Sequence, residues 1–127
     1  MYRFTRLSDR FVTEVVPGVS SIMASASVLE TPLTYRNDVF VVLSAILPAE
    51  VLASRLAVAD AAVIIKLGKH FTKVYEILKQ LGLGTRARYI QCATMPNQCL
   101  VAIDHVEPTQ VPYFSMIVIP SQWKAER

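Results

Sequence analysis

The chain has 127 residues, of which 53% are hydrophobic, and a formal charge of +3 at pH 7, with a mean hydropathy of +0.39. That length suits one domain with a real core, and apolar runs no longer than a strand exclude a membrane-spanning helix, which needs about 18 or more consecutive apolar residues. The charge comes from scattered single Lys and Arg residues without a basic block or an aromatic-laced stripe, which argues against a nucleic-acid-binding surface.

In chain order, Phe4, Leu7 and Phe11 recur at helical spacing and read as the end of a preceding domain or linking helix over residues 1–12. No apolar h-region or small-residue cleavage site accompanies them, so the cytoplasm is the expected location. The largely β-branched residues 11–16 read as a strand stopped by Pro17 and Gly18. Ser20 and Ser21 then cap a helix carrying Ile22, Ala26 and Leu29. Residues 31–38 form a loop around Pro32 and Asn37. Residues 39–46 are a β-branched run of the kind buried on both faces. Pro48 opens a helix with Val51, Leu52 and Leu56, and residues 61–67 form the next buried strand.

The clearest helix covers residues 71–81. Val74, Ile77, Leu78 and Leu81 share one face, Lys73, Glu76, Lys79 and Gln80 share the other, and Gly82 ends it. Beyond Gly84 three strand-like runs, 87–92, 99–103 and 113–119, follow with only turns between them, and residues 121–127 read as a frayed polar tail. Alternating strands and helices followed by consecutive strands define an α/β fold, with a mixed five- to six-stranded sheet and flanking helices over residues 13–120. The apolar surplus predicts that part of the surface is covered, by a second copy or by a neighbouring domain.

The chemical inventory is sparse. Cys92 and Cys99 lie without His or further Cys at zinc spacing and read as buried free thiols, and no metal site is expected. No Ser/His/Asp set and no carboxylate pair supports hydrolysis. The turn Pro17-Gly18-Val19-Ser20-Ser21 meets a helix amino terminus, whose free N–H groups can receive a ligand oxygen or simply accept a serine cap. Gly82-Leu83-Gly84 follows a helix rather than joining strand to helix, so it is a stop and not a phosphate loop. Lys66, Lys69 and His70 surround Gly68 at the carboxyl end of a central strand, where ligands of open α/β sheets bind. Residues 93–98 join two strands with polar groups.

Taken in order, Glu14-Val15-Val16-Pro17-Gly18-Val19-Ser20-Ser21, Thr31-Pro32-Leu33-Thr34, Ala62-Val63-Ile64-Ile65-Lys66-Leu67-Gly68, Ala93-Thr94-Met95-Pro96-Asn97-Gln98 and Pro112-Tyr113-Phe114-Ser115 resemble the carboxy-terminal half of the tetrapyrrole methylase family. The Ile-Lys-Leu-Gly-Lys, Ala-Thr-Met-Pro and Pro-Tyr-Phe-Ser segments resemble the branch that methylates precorrin-2 at C-20 in cobalamin biosynthesis. The resemblance implies two α/β domains, S-adenosylmethionine in the cleft between them, a carboxylate-rich tetrapyrrole substrate and a homodimer. The family's amino-terminal Gly-x-Gly-x-Gly-Asp-Pro segment has no counterpart here, so the chain is expected to lack its amino-terminal partner domain and to be inactive alone. By matching motif, Pro17, Gly18, Val19, Ser20, Ser21, Leu67, Ala93 and Tyr113 are the expected cofactor contacts. Arg36, Lys66 and Lys69 are the basic residues expected to hold substrate carboxylates. A stand-alone interaction or dimerisation domain of the same descent, or a sister methylase with another substrate, are the alternatives.

Overall fold

The computed structural model describes residues 11–123, so the expected linking helix over the first ten residues lies outside the described residues. Residues 11–20 carry no regular structure and are exposed throughout. The strand expected at 11–16 is therefore absent: β-branched residues favour an extended ladder only where a neighbouring strand accepts them, and no described strand pairs with this segment.

Helix α1 (Ser21–Val28) starts where Ser20, in extended conformation, accepts a hydrogen bond on its Oγ from the Met23 N–H at 3.3 Å. Strand β1 (Phe40–Ser44), helix α2 (Ala49–Val58) and strand β2 (Ala61–Ile65) follow, with Pro48 just ahead of α2 as its cap residue. Helix α3 (Phe71–Gln80) buries Phe71, Val74, Ile77 and Leu78. Strands β3 (Arg88–Gln91), β4 (Cys99–Val101) and β5 (Ser115–Ile119) close the fold, each shorter than the apolar run that announced it. Gly82, at φ +69°, stops α3: its N–H meets the Lys79 carbonyl and the Leu83 N–H meets that of Leu78, at 3.1 and 2.8 Å.

The five strands form one sheet in the order β1-β2-β5-β3-β4. β1 and β2 are parallel, and β5 runs antiparallel between β2 and β3. Val63 pairs with Val118, and Ile90 with Met116. Alternation along the strands sends Ala62, Ile64, Tyr89, Ile117 and Ile119 to one face, where α2 and α3 cover them. Val63, Ile90, Met116 and Val118 go to the other, where Ile22 and Val28 of α1 and Leu29 and Leu33 behind it pack.

Two side chains fasten the ends. Ser121, expected in the frayed tail, is buried: its hydroxyl donates to the Asp38 carboxylate and its N–H to the Leu33 carbonyl at 3.0 Å. Arg86 Nη2 donates to the carbonyls of Asp60 and Pro120 at 2.8 and 2.7 Å, pinning the start of β2 to the end of β5. Cys92 is buried as expected, whereas Cys99 is half-exposed, because it opens the edge strand β4. No helix among the described residues is long and apolar enough to cross a membrane.

Candidate functional site

The sheet topology brings three strand ends together. β2 and β3 both run antiparallel to β5, so they point the same way, and their carboxyl ends flank the start of β5. Ser115, at that start, pairs with Gln91, the last residue of β3. The amino-terminal half of α1 lies over this edge. Between them is a cleft of about 380 Å³, lined from α1 by Ser21 and Ser25, from β2 by Ile65 and Lys66, and from β3 and its exit by Ile90, Cys92, Ala93 and Met95. The approach to β5 contributes Tyr113, Phe114, Ser115 and Met116.

The backbone that makes room for the cleft is unusual. Lys66 and Cys92, the residues that leave β2 and β3, have φ +60° and +52°, and Thr94 has φ +64°. Left-handed conformations are uncommon for residues other than glycine and cost energy. Here they turn the chain sharply outward at two strand ends. The Cys92 N–H still reaches the Phe114 carbonyl at 2.7 Å, extending the β3–β5 ladder by one bond past the bend. Thr94 N–H donates to Gln98 Oε1 at 2.7 Å, and Gln98 N–H to the Met95 carbonyl at 3.0 Å, so the 93–98 loop is closed on itself. Ser115 Oγ donates to the Pro112 carbonyl at 2.7 Å. Tyr113 and Phe114 meet edge to face at 5.2 Å and are both exposed at the lip.

Most of the lining is apolar, and Lys66 carries the one charged side chain among the described lining residues. It is exposed to solvent. Beneath the cleft's rim, on the opposite face of the sheet, Tyr89 is buried and donates to Gln91 Oε1 at 2.9 Å. Burial holds its hydroxyl above the ordinary tyrosine range, against the opposing pull of Ser115. Among the described residues no group of three or more His, Cys, Asp or Glu side chains is placed to hold a metal ion.

Of the residues singled out from sequence, Ser21, Lys66, Ala93 and Tyr113 are brought together on the cleft. Pro17, Gly18, Val19 and Ser20 lead up to it, exposed, and do not line it. The Leu67 side chain belongs to the core under α2 and α3, fully buried, because the left-handed turn at Lys66 throws the next side chain to the other face. Lys69 is exposed on a short 3-10 turn, Gly68–His70, outside the lining. Arg36 stands with its guanidinium 6.0 Å from the Trp123 ring centroid, at the loop before β1 and again outside the lining. Ser25, Cys92, Phe114 and Ser115 were not read from sequence as site residues. Phe114 and Ser115 lie in a quoted motif, whereas a serine in the middle of a helix carries no signal of its own.

This open mixed sheet has its cleft at the carboxyl ends of β2 and β3, the position at which open α/β sheets commonly bind ligands. The same fold is found in uroporphyrin-III C-methyl transferase from Thermus thermophilus, in its complex with S-adenyl homocysteine. It superposes with a TM-score of 0.56 at 23% identity, over 83% of this chain and 51% of that one. The family described as Tetrapyrrole (Corrin/Porphyrin) Methylases matches residues 1–105, and the chain belongs to that family. Among curated relatives, the cobalamin biosynthesis protein CobIJ of Mycobacterium tuberculosis (strain ATCC 25618 / H37Rv) is 41% identical over 120 residues, 94% of this chain and 24% of that protein. Precorrin-2 C(20)-methyltransferase of Sinorhizobium sp is 34% identical over 124 residues, 98% of this chain and 50% of that enzyme. The chain thus spans half the length, or less, of the curated relatives it matches.

Proposed function

We propose that this chain forms the carboxy-terminal half of an S-adenosylmethionine-dependent methyltransferase that acts on a tetrapyrrole, namely precorrin-2 at C-20 in cobalamin biosynthesis. The observation that carries the reading is the cleft itself: a pocket at the carboxyl edge of the sheet, built from the segments that match the family, in a chain half as long as the Sinorhizobium enzyme. The lining fits the cofactor. Apolar walls suit its nucleoside, a helix start offers hydroxyls, and one buried hydroxyl in the cleft lacks a partner.

The sulfonium of the bound cofactor would supply the methyl group. Transfer to a ring carbon needs alignment and exclusion of water more than a metal or a covalent intermediate. The chain's own contribution is positioning. Ser21 and the Ala93 segment hold the cofactor's polar edges, Tyr113 and Phe114 cover it from water, and Lys66 draws a substrate carboxylate to the lip. Lys69 lies a few residues on, able to meet a second carboxylate of a larger substrate, and Arg36, beside Trp123 in the loop before β1, is the third basic residue assigned to the substrate carboxylates. The enzyme works as a homodimer in the cytoplasm, with the upstream half supplying the remaining cofactor contacts.

The test is transfer of labelled methyl to precorrin-2. This chain alone should give negligible turnover, and turnover should appear when the amino-terminal half of the Sinorhizobium relative is added. Efficient methylation by the chain alone would defeat the split-site reading, and no turnover in either case would favour an interaction domain descended from such an enzyme.

A further inference from the structure

The cleft contains one polar group that the fold leaves unanswered. Ser25, in the middle of α1, is fully buried, its Oγ is sealed from solvent, and no described residue hydrogen-bonds it. Serines in helices ordinarily find a carbonyl one turn back, as Ser27 does by donating to the Met23 carbonyl at 3.0 Å. An orphaned buried hydroxyl costs stability, and alanine is both the better helix former and free of that cost. Folding alone therefore favours alanine at this position. The other unpartnered buried atom, Arg86 Nε, belongs to a side chain whose Nη2 already clamps two carbonyls away from the cleft. Ser25 has no such structural task.

Its surroundings define what it can bind. Ser25 lines the cleft with Ser21, one turn earlier on the same helix face, and the walls beside them are Ile65, Ile90 and Met116. A single neutral hydroxyl among aliphatic side chains cannot offset the burial of a carboxylate, ammonium or sulfonium. It can offset that of a flat heterocycle, whose two faces are apolar and whose edge offers ring nitrogens that accept and an amine that donates. A serine hydroxyl can answer either. Lys66, by contrast, stands at the solvent-facing lip, where a charged group keeps its water.

We propose that Ser25 is a specificity contact of the cleft, its hydroxyl hydrogen-bonding the edge of the purine base of the bound nucleoside. The assignment rests on the cofactor reading above. It also accounts for α1 tolerating a destabilising serine at its most buried position: the missing partner arrives with the ligand.

The experiment compares the natural chain with Ser25→Ala, by thermal unfolding without ligand and by calorimetric titration in the presence of the Sinorhizobium amino-terminal half. The probes are S-adenosylhomocysteine and 5′-methylthioadenosine, which share the nucleoside and differ in the charged amino-acid end. Ser25→Ala should unfold a few degrees higher and bind both probes roughly tenfold more weakly, the loss of one buried hydrogen bond. Equal affinity of the two chains for both probes would overturn the contact. A lower unfolding temperature would overturn it too, by showing that the hydroxyl is already satisfied within the fold. Weakening confined to S-adenosylhomocysteine would place the hydroxyl at the amino-acid end instead. Failure of the natural chain to bind either probe would overturn the cofactor reading itself, and the Ser25 assignment with it.

Discussion

The two faces of the sheet are built to different standards. On one, α2 and α3 bring Leu52, Leu56, Phe71, Val74 and Leu78 down onto the strands in a closed core, with Phe71 edge-on to Tyr89 at 5.8 Å. α3 divides its residues cleanly into a buried apolar face and a face of Lys, Glu and Gln. On the other, α1 works alone. Its sequence, SIMASASV, contains no charged residue, so it has no side made for water. Met23 is 57% exposed on α1, and Val42 and Leu100 are 47% and 50% exposed toward the two sheet edges on the same face. The cleft opens on this unfinished side. One face is closed by its helices, and the other leaves apolar side chains exposed.

The largest effect that sharpens this contrast is in the closed core. Phe71→Ala, at a side chain 1% exposed, should cost about 3–5 kcal/mol in urea unfolding. Met116→Ala, 8% exposed on the α1 face, should cost about 2 kcal/mol, and equal losses would break the comparison. The helix ends offer a finer version. α1 and α3 close with the same pair of backbone bonds, but Gly82 sits in the left-handed position after α3 at φ +69° whereas Glu30 does so after α1 at φ +49°. Space is open around Gly82, so Gly82→Ala should lose about 1 kcal/mol through backbone strain alone. Glu30→Gly should gain about 0.5–1 kcal/mol, both read from the unfolding midpoint.

Smaller still is Met23→Lys, which should move the stability of the chain by less than about 0.5 kcal/mol yet weaken its association with an upstream half in sedimentation or pull-down. An unchanged association would mean that α1's outer surface is not the docking face. The last effect shows only at alkaline pH. Burial raises the Tyr89 hydroxyl above its ordinary value of 10.0, so the folded state holds this proton more tightly than the unfolded state does. Its contribution is complete below about pH 10 and is lost as pH rises through the higher folded value. Tyr89→Phe should flatten that alkaline decline.

What was legible in the sequence follows the same division. Residues on the closed face announce themselves: α3 by its period, Gly82 by its place after the last turn, and β2 and β5 by β-branched runs buried on both sides. The run at 39–46 carries the same signal, yet β1 is an edge strand with Val42 47% exposed, because residue types do not reveal which strand ends the sheet. The bounds of these elements shrank by up to two residues at one end or both; after β2, as after β3, a left-handed residue, Lys66 or Cys92, breaks the ladder and no composition marks the break. The segment 11–16 carries the same β-branched signal without a strand, because pairing depends on a neighbour that residue types do not reveal. Of the residues on the cleft, Lys66 was legible from its strand end and Ser21 from its turn, whereas Ala93 and Tyr113 were named only by the family resemblance. The facing of the Leu67 side chain was not legible, because a motif names residues without their orientation and the turn at Lys66 decides it. Ser25 was silent, since an unpartnered hydroxyl is a property of the packed structure and not of a serine among alanines.

The most direct test of the central claim, that this chain holds one half of a cofactor cleft, is calorimetric titration with S-adenosylhomocysteine before and after adding the amino-terminal half of the Sinorhizobium enzyme. Binding that appears only after the addition is the predicted result. Tight binding by this chain alone would contradict it, by showing that the cleft at the carboxyl edge of β2 and β3 is already complete.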